Sequence, residues 1–237
     1  MKVNREQILL LKVYLPLALV IILLDNLFPG RVAVNYFKFA IVLTLFPAAL
    51  ITGKLYREQA ILTFAILLMV VGDFFLNLCS AIPDLVGDVR IFGVLSFILA
   101  YLSLLAVFVK GRKKPGPGIY LTLVPVLAVL LSAVAAIAPH VEEKLLTGAL
   151  IFTPVLGLMA WTAICTLFRG YYRGPASFRF ALAGCLILIS DIGVANNVFN
   201  PEYSAIIVPW LQNIIWGTYI PAWSLIAVNI ADDRLLA

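Results

Sequence analysis

Eight stretches of about 20 apolar residues follow one another along the chain, and they constrain its fold more than any other feature. They lie near residues 9–28, 34–51, 60–79, 90–109, 119–138, 145–168, 178–199 and 205–231. A helix of about 20 apolar residues crosses the hydrocarbon core of a bilayer. Because 63% of the residues are hydrophobic and 12% are charged, a soluble domain of this size would lack polar surface. The sequence therefore predicts an all-α, polytopic transmembrane bundle of eight helices, forming a single integral membrane domain over residues 1–237.

The segments between these stretches are short and carry turn or charge signals, for example at Pro29-Gly30, Gly53-Lys54 and Pro139-His140. They leave no room for a soluble domain. The first stretch follows Lys2 and Arg5, as the apolar part of a signal peptide would. No small-residue cleavage site comes after it, so we expect a retained first helix.

The basic residues predict the orientation of the bundle. Alternating spans put most of them on the side of the N-terminus: Lys2, Arg5, Lys12, Lys54, Arg57, Lys110, Arg112, Lys113, Lys114, Arg169, Arg173, Arg179 and Arg234. Only Arg31, Arg90 and Lys144 fall in the opposite loops. Since cytoplasmic loops are enriched in Lys and Arg, both termini are predicted to be cytoplasmic. The small size and compact loops favour a multi-pass protein of the bacterial inner (cytoplasmic) membrane.

The formal net charge of +5 is explained by this topology. The run Arg112-Lys113-Lys114 favours anionic headgroups, so membrane lipids are expected partners. No aromatic residues interleave the basic ones and no domain is available to carry a nucleic-acid site. Nucleic acid is therefore not an expected partner.

Residue types that bind metals or carry nucleophilic catalysis are scarce. Cys79, Cys165 and Cys185 lie in or at the ends of apolar spans without CxxC spacing, which is typical of packing residues. His140 is the only histidine and falls in a predicted outer loop. We therefore expect no metal site and no Ser-His-Asp triad within the membrane. GxSxG, P-loop and GxGxxG motifs do not occur in a fitting context, which excludes the common hydrolase and nucleotide-binding classes.

Two aspartates, Asp73 and Asp191, lie inside apolar stretches. A carboxylate at the centre of a membrane costs about 2.5 to 3.5 kcal/mol on insertion scales, so such residues face a protein interior or a polar cavity and often mark a functional site. Asp73 comes 13 residues after Ala60, and Asp191 comes 13 after Phe178. At a rise of about 1.5 Å per residue, both lie roughly 20 Å from the cytoplasmic end of their spans. The spacing predicts two carboxyl groups at the same depth.

Other polar residues gather near that depth and predict a polar chamber in the outer half of the bilayer. Asn77 follows Asp73 by one helical turn, and Ser190, Asn196 and Asn197 lie close to Asp191. The spans that enter from the outside add Asn35, Tyr36, Lys38, Ser96, Tyr101, Gln212, Asn213, Thr218 and Tyr219. Within this set, the predicted substrate-binding residues are Lys38, Asn77, Tyr101, Ser190, Asn197 and Tyr219.

An alternative is that the carboxyl groups and amides only join helices, because intramembrane polar pairs contribute about 0.6 kcal/mol on average in measured cycles. For Lys38, the favoured interpretation is that its ammonium extends to the outer interface rather than pairing with an aspartate.

Several short motifs resemble the YhhN-like lysoplasmalogenases, small eight-span membrane proteins whose members hydrolyse the vinyl ether of lysoplasmalogens. The resemblance covers most of the chain, from Lys38 in the second span to Tyr219 with Ala222 in the last. Its most specific parts are Gly72-Asp73-Phe74-Phe75-Leu76 and Gly184-Cys185-Leu186-Ile187-Leu188-Ile189-Ser190-Asp191. The resemblance implies that Asp73 and Asp191 are the catalytic pair and that a lysophospholipid is the substrate.

The chain departs from the family pattern at four positions. Tyr101 stands where a histidine is usual, and Leu104 replaces a tyrosine three residues later. Trp223 stands in place of a glutamine, and Phe39 in place of a proline. If the usual histidine and glutamine shape the headgroup pocket, these departures indicate a different lipid, or a lipid bound without turnover.

Two carboxyl groups suit vinyl ether hydrolysis independently of the resemblance. Protonation of the carbon-carbon double bond gives an oxocarbenium-like cation, which water captures. Two neighbouring buried carboxyl groups titrate apart, so one can serve as general acid while the other stabilises the cation and orients water, as in glycoside hydrolysis. We assign Asp191 as acid and Asp73 as base, although the sequence itself does not distinguish them. No cofactor is required.

A proton-coupled transporter or a non-catalytic lipid-binding membrane protein is the alternative function, because transporters also use intramembrane aspartates as proton relays. An asparagine follows each aspartate, Asn77 after Asp73 and Asn196 or Asn197 after Asp191. This pattern would fit a four-span repeat, which is a pointer to transport, but the flanking residues are dissimilar. A cavity that opens sideways to lipid would favour the enzyme. A pathway that joins both membrane faces would favour transport.

Overall fold

The computed structural model describes residues 5–79, 89–111, 116–141, 143–200 and 210–237. Of the basic residues used above, Lys2 and the run Arg112 to Lys114 lie outside this part of the chain, and so do residues 205–209 of the eighth predicted span. The side chains of Arg90 and Lys144 are also outside the description.

The described chain is helical, in agreement with the predicted fold class. Its helices are α1 (Arg5–Leu27), α2 (Val32–Ile51), α3 (Arg57–Asp73), α4 (Arg90–Phe108), α5 (Pro117–Leu121), α6 (Leu123–Ile137), α7 (Glu143–Arg169), α8 (Gly174–Phe199) and α9 (Trp210–Ile230). A π-helical turn, Phe74–Leu78, continues α3, and a 3-10 turn, Ala138–His140, continues α6. Within the described ranges, the β-structure is an isolated bridge between Tyr172 and Leu236.

Seven segments of the described chain are long and apolar enough to cross a membrane. They are Arg5–Leu27, Val32–Ile51, Arg57–Leu78, Ile91–Phe108, Gly118–His140, Leu150–Arg169 and Gly174–Phe199. Helix α9 has 21 residues, which is long enough for an eighth span, but Gln212, Asn213 and Asn229 make it more polar. The structure thus agrees with a multi-pass helical membrane protein. The cytoplasmic position of the termini stays a prediction from charge.

Contacts at both ends of α1 show that it runs antiparallel to α9. The Gln7 side chain donates to the Val228 carbonyl over 3.2 Å, and Asn26 donates to Asn213 over 2.8 Å. The start of α1 therefore lies beside the end of α9, which we call the near end of the bundle. The opposite end, where α1 finishes and α9 begins, is the far end.

Polar side chains close the near end. The Glu58 carboxylate accepts hydrogen bonds from Tyr171 over 2.7 Å and from Lys110 over 3.1 Å. Arg179 forms an ion pair with Asp232 and donates to Asn229 over 2.7 Å. These bonds connect the first turn of α3 with the chain after α4 and with the loop between α7 and α8, and they connect the second turn of α8 with the end of α9 and the residues after it.

The segment after α9 is held by backbone hydrogen bonds to the loop between α7 and α8. The amide of Ala237 donates to the Tyr171 carbonyl over 3.0 Å, and that of Arg173 donates to Leu235 over 3.1 Å. Gly170 begins this loop with φ 63°, a conformation that glycine adopts without strain. Burial raises the pKa of Tyr172, so its phenol stays protonated and donates to the Val107 carbonyl over 2.7 Å.

Close helix contacts depend on small residues. A Cβ atom added at Gly184 of α8 would lie 2.4 Å from the Ala163 Cβ and 3.5 Å from the Ala160 Cα of α7. Membrane helices associate through such small-residue contacts because lipid tails are as apolar as the side chains they compete with. Gly184 thus lets α7 support α8, the helix that carries Asp191.

We expect Gly184→Ala to destabilise the fold by about 1 to 3 kcal/mol, because overpacking at a rigid contact forces the helices apart. Thermal unfolding of the purified protein in detergent measures the effect. Gly174→Ala is the matched control, since an added Cβ there meets nothing within 4 Å. Equal melting temperatures for the two variants would contradict the packing described for α7 and α8.

Candidate active site

Asp73 is the last residue of α3 before the π-helical turn. A Cβ added at Gly72 would lie 2.7 Å from the Phe97 ring, and one at Gly93 would lie 3.1 Å from the Gly72 carbonyl oxygen. These glycines let α3 and α4 approach closely at this level. π-Helical turns are frequent at functional sites, because one extra residue in the turn redirects the side chains.

Both carboxylate oxygens of Asp73 accept hydrogen bonds. Asn77 donates to Oδ1 over 2.6 Å, and the Tyr219 hydroxyl donates to Oδ2 over 2.6 Å. The Asp73 side chain is buried, with 3% of its surface exposed. The carboxylate is therefore held by its own helix on one side and by α9 on the other.

Asp191 lies on α8 and accepts a hydrogen bond from Tyr101 of α4. The Tyr101 hydroxyl donates to Asp191 Oδ2 over 2.5 Å. Tyr101 is completely buried, whereas Asp191 is only half-buried. Asp191 is thus the more accessible of the two carboxyl groups.

The two Asp–Tyr pairs belong to one cluster. Asp73 and Asp191 are close enough to interact electrostatically, and each also interacts with the tyrosine that binds the other. The Phe97 ring lies between the tyrosines, with its centroid 6.0 Å from that of Tyr101 and 6.5 Å from that of Tyr219. Four helices, α3, α4, α8 and α9, therefore bring two carboxyl groups and two phenols together in the bundle interior.

The remaining residues predicted on α8 lie around this cluster with different contacts. Ser190 is fully buried and donates to the Ile215 carbonyl of α9 over 3.3 Å. Asn196 donates to Ile192 of its own helix over 2.9 Å. Asn197 is half-buried and, six residues after Asp191, lies about 120° around the helix from it. Ser190 therefore joins two helices, and Asn77 is the amide that directly binds a carboxylate.

Lys38 does not extend to the interface, and that prediction was wrong. Its ammonium is buried and forms an ion pair of 2.7 Å with Asp25 at the end of α1. It also lies 3.4 Å from the Gln212 side-chain oxygen and 4.9 Å above the Trp216 ring. Asp25 was not among the site residues predicted from the sequence. A carboxylate one turn before the end of an apolar stretch was the signal that pointed to it.

The polar chamber predicted from the sequence is divided in the structure. Tyr101 and Tyr219 bind the aspartates, whereas Lys38 and Gln212 belong to the separate cluster around Asp25. Asn213 binds Asn26, Thr218 donates to Ile214 of its own helix, and Tyr36 is exposed. In the described ranges, no group of three or more His, Cys, Asp and Glu residues is placed to hold a metal ion.

The helical bundle and the Asp–Tyr cluster together define a class of protein, a polytopic helical membrane protein with a buried pair of hydrogen-bonded carboxyl groups. The chain belongs to the YhhN family, whose sequence profile matches residues 34–230. No functionally curated protein and no solved structure matches the chain significantly.

The positions at which the chain departs from the family pattern lie at the site. Tyr101, in place of the usual histidine, is the residue that binds Asp191, and Leu104 is fully buried one turn further along α4. Trp223, in place of the usual glutamine, is fully buried, and its centroid lies 6.4 Å from that of Tyr219. Phe39 packs against Phe74 at 6.1 Å. Tyr101 therefore contacts one carboxyl group directly, and Trp223 lies beside the tyrosine that binds the other.

Proposed function

We propose that this protein is a membrane-embedded hydrolase that cleaves the vinyl ether bond of lysoplasmalogens or of a related ether lysolipid. The observation that carries the proposal is the buried cluster in which Asp73 and Asp191 each accept a phenol hydrogen bond and interact with one another. Family membership supports the same activity. The products are a fatty aldehyde and a glycerophospho-headgroup.

The hydrogen bonds support different roles for the two carboxyl groups. Asp73 accepts a donor at each oxygen, and hydrogen bonds to both oxygens favour the ionised form. Among the described residues, Asp191 accepts one hydrogen bond, from Tyr101 at Oδ2, so its Oδ1 is suited to carry a proton. We therefore assign Asp191 as the general acid and Asp73 as the carboxylate that stabilises the cation and orients water.

The reaction balances with these two groups and one water molecule. The Asp191 proton is added to the β-carbon of the vinyl ether, and the positive charge develops on the α-carbon and the ether oxygen. Water then attacks the α-carbon and transfers a proton to the carboxylate pair, which gives a hemiacetal. In the collapse of the hemiacetal, its hydroxyl loses a proton to the carboxylate pair and the pair returns a proton to the glycerol oxygen as the carbon-oxygen bond breaks, which releases the aldehyde. Two carboxyl groups divide labour in the same way in glycoside hydrolysis.

Release of fatty aldehyde by the purified protein from choline and ethanolamine lysoplasmalogens tests the proposal. Lysolipids with an ordinary alkyl ether in place of the vinyl ether are the control, because they have no double bond to protonate. Aldehyde from the vinyl ether alone is the expected result. No aldehyde from a folded protein would contradict the hydrolase and favour lipid binding without turnover.

The Tyr101 hydroxyl is expected to matter for turnover more than for folding. Tyr101→Phe removes the only described donor to Asp191 and should lower kcat about tenfold, because the acid is then less well oriented. Tyr101→His, which introduces the residue usual in the family, keeps a donor at this position and should retain more activity than the phenylalanine variant. Aldehyde release at saturating substrate measures both. A phenylalanine variant as fast as the unmodified protein would show that this hydrogen bond has no role in the reaction.

A further inference from the structure

The buried ion pair between Asp25 and Lys38 is the second cluster of charge in the far half of the bundle. Both side chains are more than nine-tenths buried, and their atoms Oδ1 and Nζ are 2.7 Å apart. A buried ion pair adds little net stability, because the desolvation of two charges offsets their attraction. The packing of α1, α2 and α9 therefore does not require the ion pair, because apolar side chains of similar volume would pack these helices equally well.

One oxygen of this pair has no hydrogen-bond partner among the described residues. Asp25 Oδ2 is buried and accepts no hydrogen bond from any residue in the described part of the chain. A buried acceptor without a donor is unfavourable, so an oxygen of this kind indicates a site for a group that brings its own N–H or O–H. For a carboxylate, a primary ammonium is the complementary group, because it supplies both the charge and the hydrogen.

Lys38, the other member of the ion pair, is suited to bind a phosphate. Lys38 is a cation with three N–H donors, and its described contacts, to Asp25 and Gln212, use two of them. The Trp216 ring lies 4.9 Å from the ammonium of Lys38. Asp25 and Lys38 thus present an acceptor and a donor of opposite charge next to one another, in the arrangement that a phosphoethanolamine group requires.

This cluster is joined to the two catalytic aspartates by one ring contact. Trp216 packs edge-on against Tyr219 with 5.6 Å between ring centroids, and Tyr219 donates to Asp73. Along α9, Gln212 lies seven residues nearer the far end than Tyr219, which is about 10 Å at 1.5 Å per residue. A lysolipid carries its phosphate and its vinyl ether on the two terminal carbons of one glycerol unit. A headgroup at Asp25 and Lys38 therefore places the ether towards Asp73 and Asp191.

The pair is also close in sequence to exposed residues at the far end. Residues 26–33, which comprise the end of α1, its connection to α2 and the start of α2, are all exposed. Asp25 comes directly before them, and Lys38 follows five residues after them. Gly30 turns this segment with φ 70°. A headgroup that binds the pair is therefore expected to approach from the far end.

We propose that Asp25 and Lys38, with Trp216 beside them, form a headgroup subsite that selects lysolipids with a primary ammonium on the phosphate, the ethanolamine type, over the quaternary choline type. Asp25 Oδ2 accepts from the ammonium, and Lys38 binds the phosphate. A choline headgroup carries the same charge but has no N–H to donate. The subsite deepens the proposed hydrolase by naming its preferred substrate.

Binding of lysolipids with a non-hydrolysable alkyl ether tests the subsite without any turnover. Isothermal titration calorimetry of the purified protein in detergent compares ethanolamine, N-methyl, N,N-dimethyl and choline headgroups. The ethanolamine lipid is expected to bind about tenfold more tightly than the choline lipid, with affinity falling as N–H groups are removed. Equal affinity along the series would overturn the subsite.

Variants of the pair test which residues are responsible. Asp25→Asn should abolish the preference for ethanolamine. The charge-swapped double variant Asp25→Lys with Lys38→Asp keeps the ion pair, and should stay folded but lose the preference as well. The matched control is Tyr14→Phe, which removes a hydrogen bond to Thr44 that also joins α1 to α2. This variant should keep the preference for ethanolamine. A preference for ethanolamine that persists in the charge-swapped protein would overturn the assignment to Asp25 and Lys38. The series of N-methylated headgroups, measured on the unmodified protein, tests the subsite independently of how any variant folds.

The two proposals fail in distinguishable ways. A protein that discriminates headgroups but releases no aldehyde would keep the subsite and overturn the hydrolase. A protein that releases aldehyde but binds ethanolamine and choline lipids equally would keep the hydrolase and overturn the subsite.

Discussion

Asp191→Asn is expected to lower kcat for aldehyde release by about 10² to 10⁴-fold, the usual contribution of a general acid or base. Asparagine has nearly the shape of aspartate but cannot donate a proton to carbon. Its amide oxygen still accepts the hydrogen bond from Tyr101, so the contact between α4 and α8 remains. Loss of the acid should therefore appear as a kinetic defect in a protein that melts at its normal temperature.

Aldehyde release at saturating and at limiting substrate measures this effect and separates kcat from KM. Asp233→Asn makes the same chemical change at an exposed residue of the near end and should leave the rate unchanged. A fully active Asp191→Asn protein would exclude Asp191 as the acid. A variant whose KM rises while its kcat is constant would assign Asp191 to binding instead.

Asp73→Asn is expected to lower kcat over the same range of about 10² to 10⁴-fold, but for a different reason. The neutral amide cannot stabilise an oxocarbenium-like cation or accept a proton from water. The fold should tolerate the change, because the amide oxygen can face Asn77 while the amide nitrogen donates to the Tyr219 hydroxyl, which accepts as well as donates. Binding of an alkyl ether lysolipid should be retained, since the headgroup contacts lie elsewhere.

The double variant distinguishes a cooperating pair from two independent groups. Residues that act as a unit give non-additive effects, so Asp73→Asn combined with Asp191→Asn should be little slower than the slower single variant. If the loss of rate in the double variant equals the product of the losses in the two single variants, the two carboxyl groups act in separate steps or at separate sites. Both results are read from the same aldehyde assay, with lysolipid binding as the check on folding.

Much of the architecture was predictable from local composition. The ends of seven predicted spans lie within a few residues of the described helices, because a stretch of apolar residues determines a membrane span without reference to its neighbours. The differences fall mostly at the near end, where α3 and α8 begin three or four residues before the apolar stretches do. Near these starts, Glu58 in the first turn of α3 and Arg179 in the second turn of α8 make contacts across the bundle instead of entering the solvent.

The candidate site was predictable only in part. Asp73, Asp191 and Asn77 could be found because a charged group in hydrocarbon is costly and because residues four apart share a helix face. The position of Lys38 was predicted incorrectly, since the length of its side chain allows the interface as readily as a buried partner. Only the packing of α1 against α2 and α9 supplied that partner at Asp25.

The sequence by itself determined that this chain spans the membrane several times and that it carries two carboxyl groups where carboxyl groups are expensive. Both follow from transfer of single residues between water and hydrocarbon, which needs no knowledge of the neighbours. The tertiary structure alone decided which groups meet: Tyr219 with Asp73, 146 residues apart, and Tyr101 with Asp191, 90 residues apart. Those pairings depend on which helix faces are in contact. Close packing at glycines such as Gly72 and Gly193 fixes these faces and the distances between the helices, and a local sequence pattern does not encode those distances.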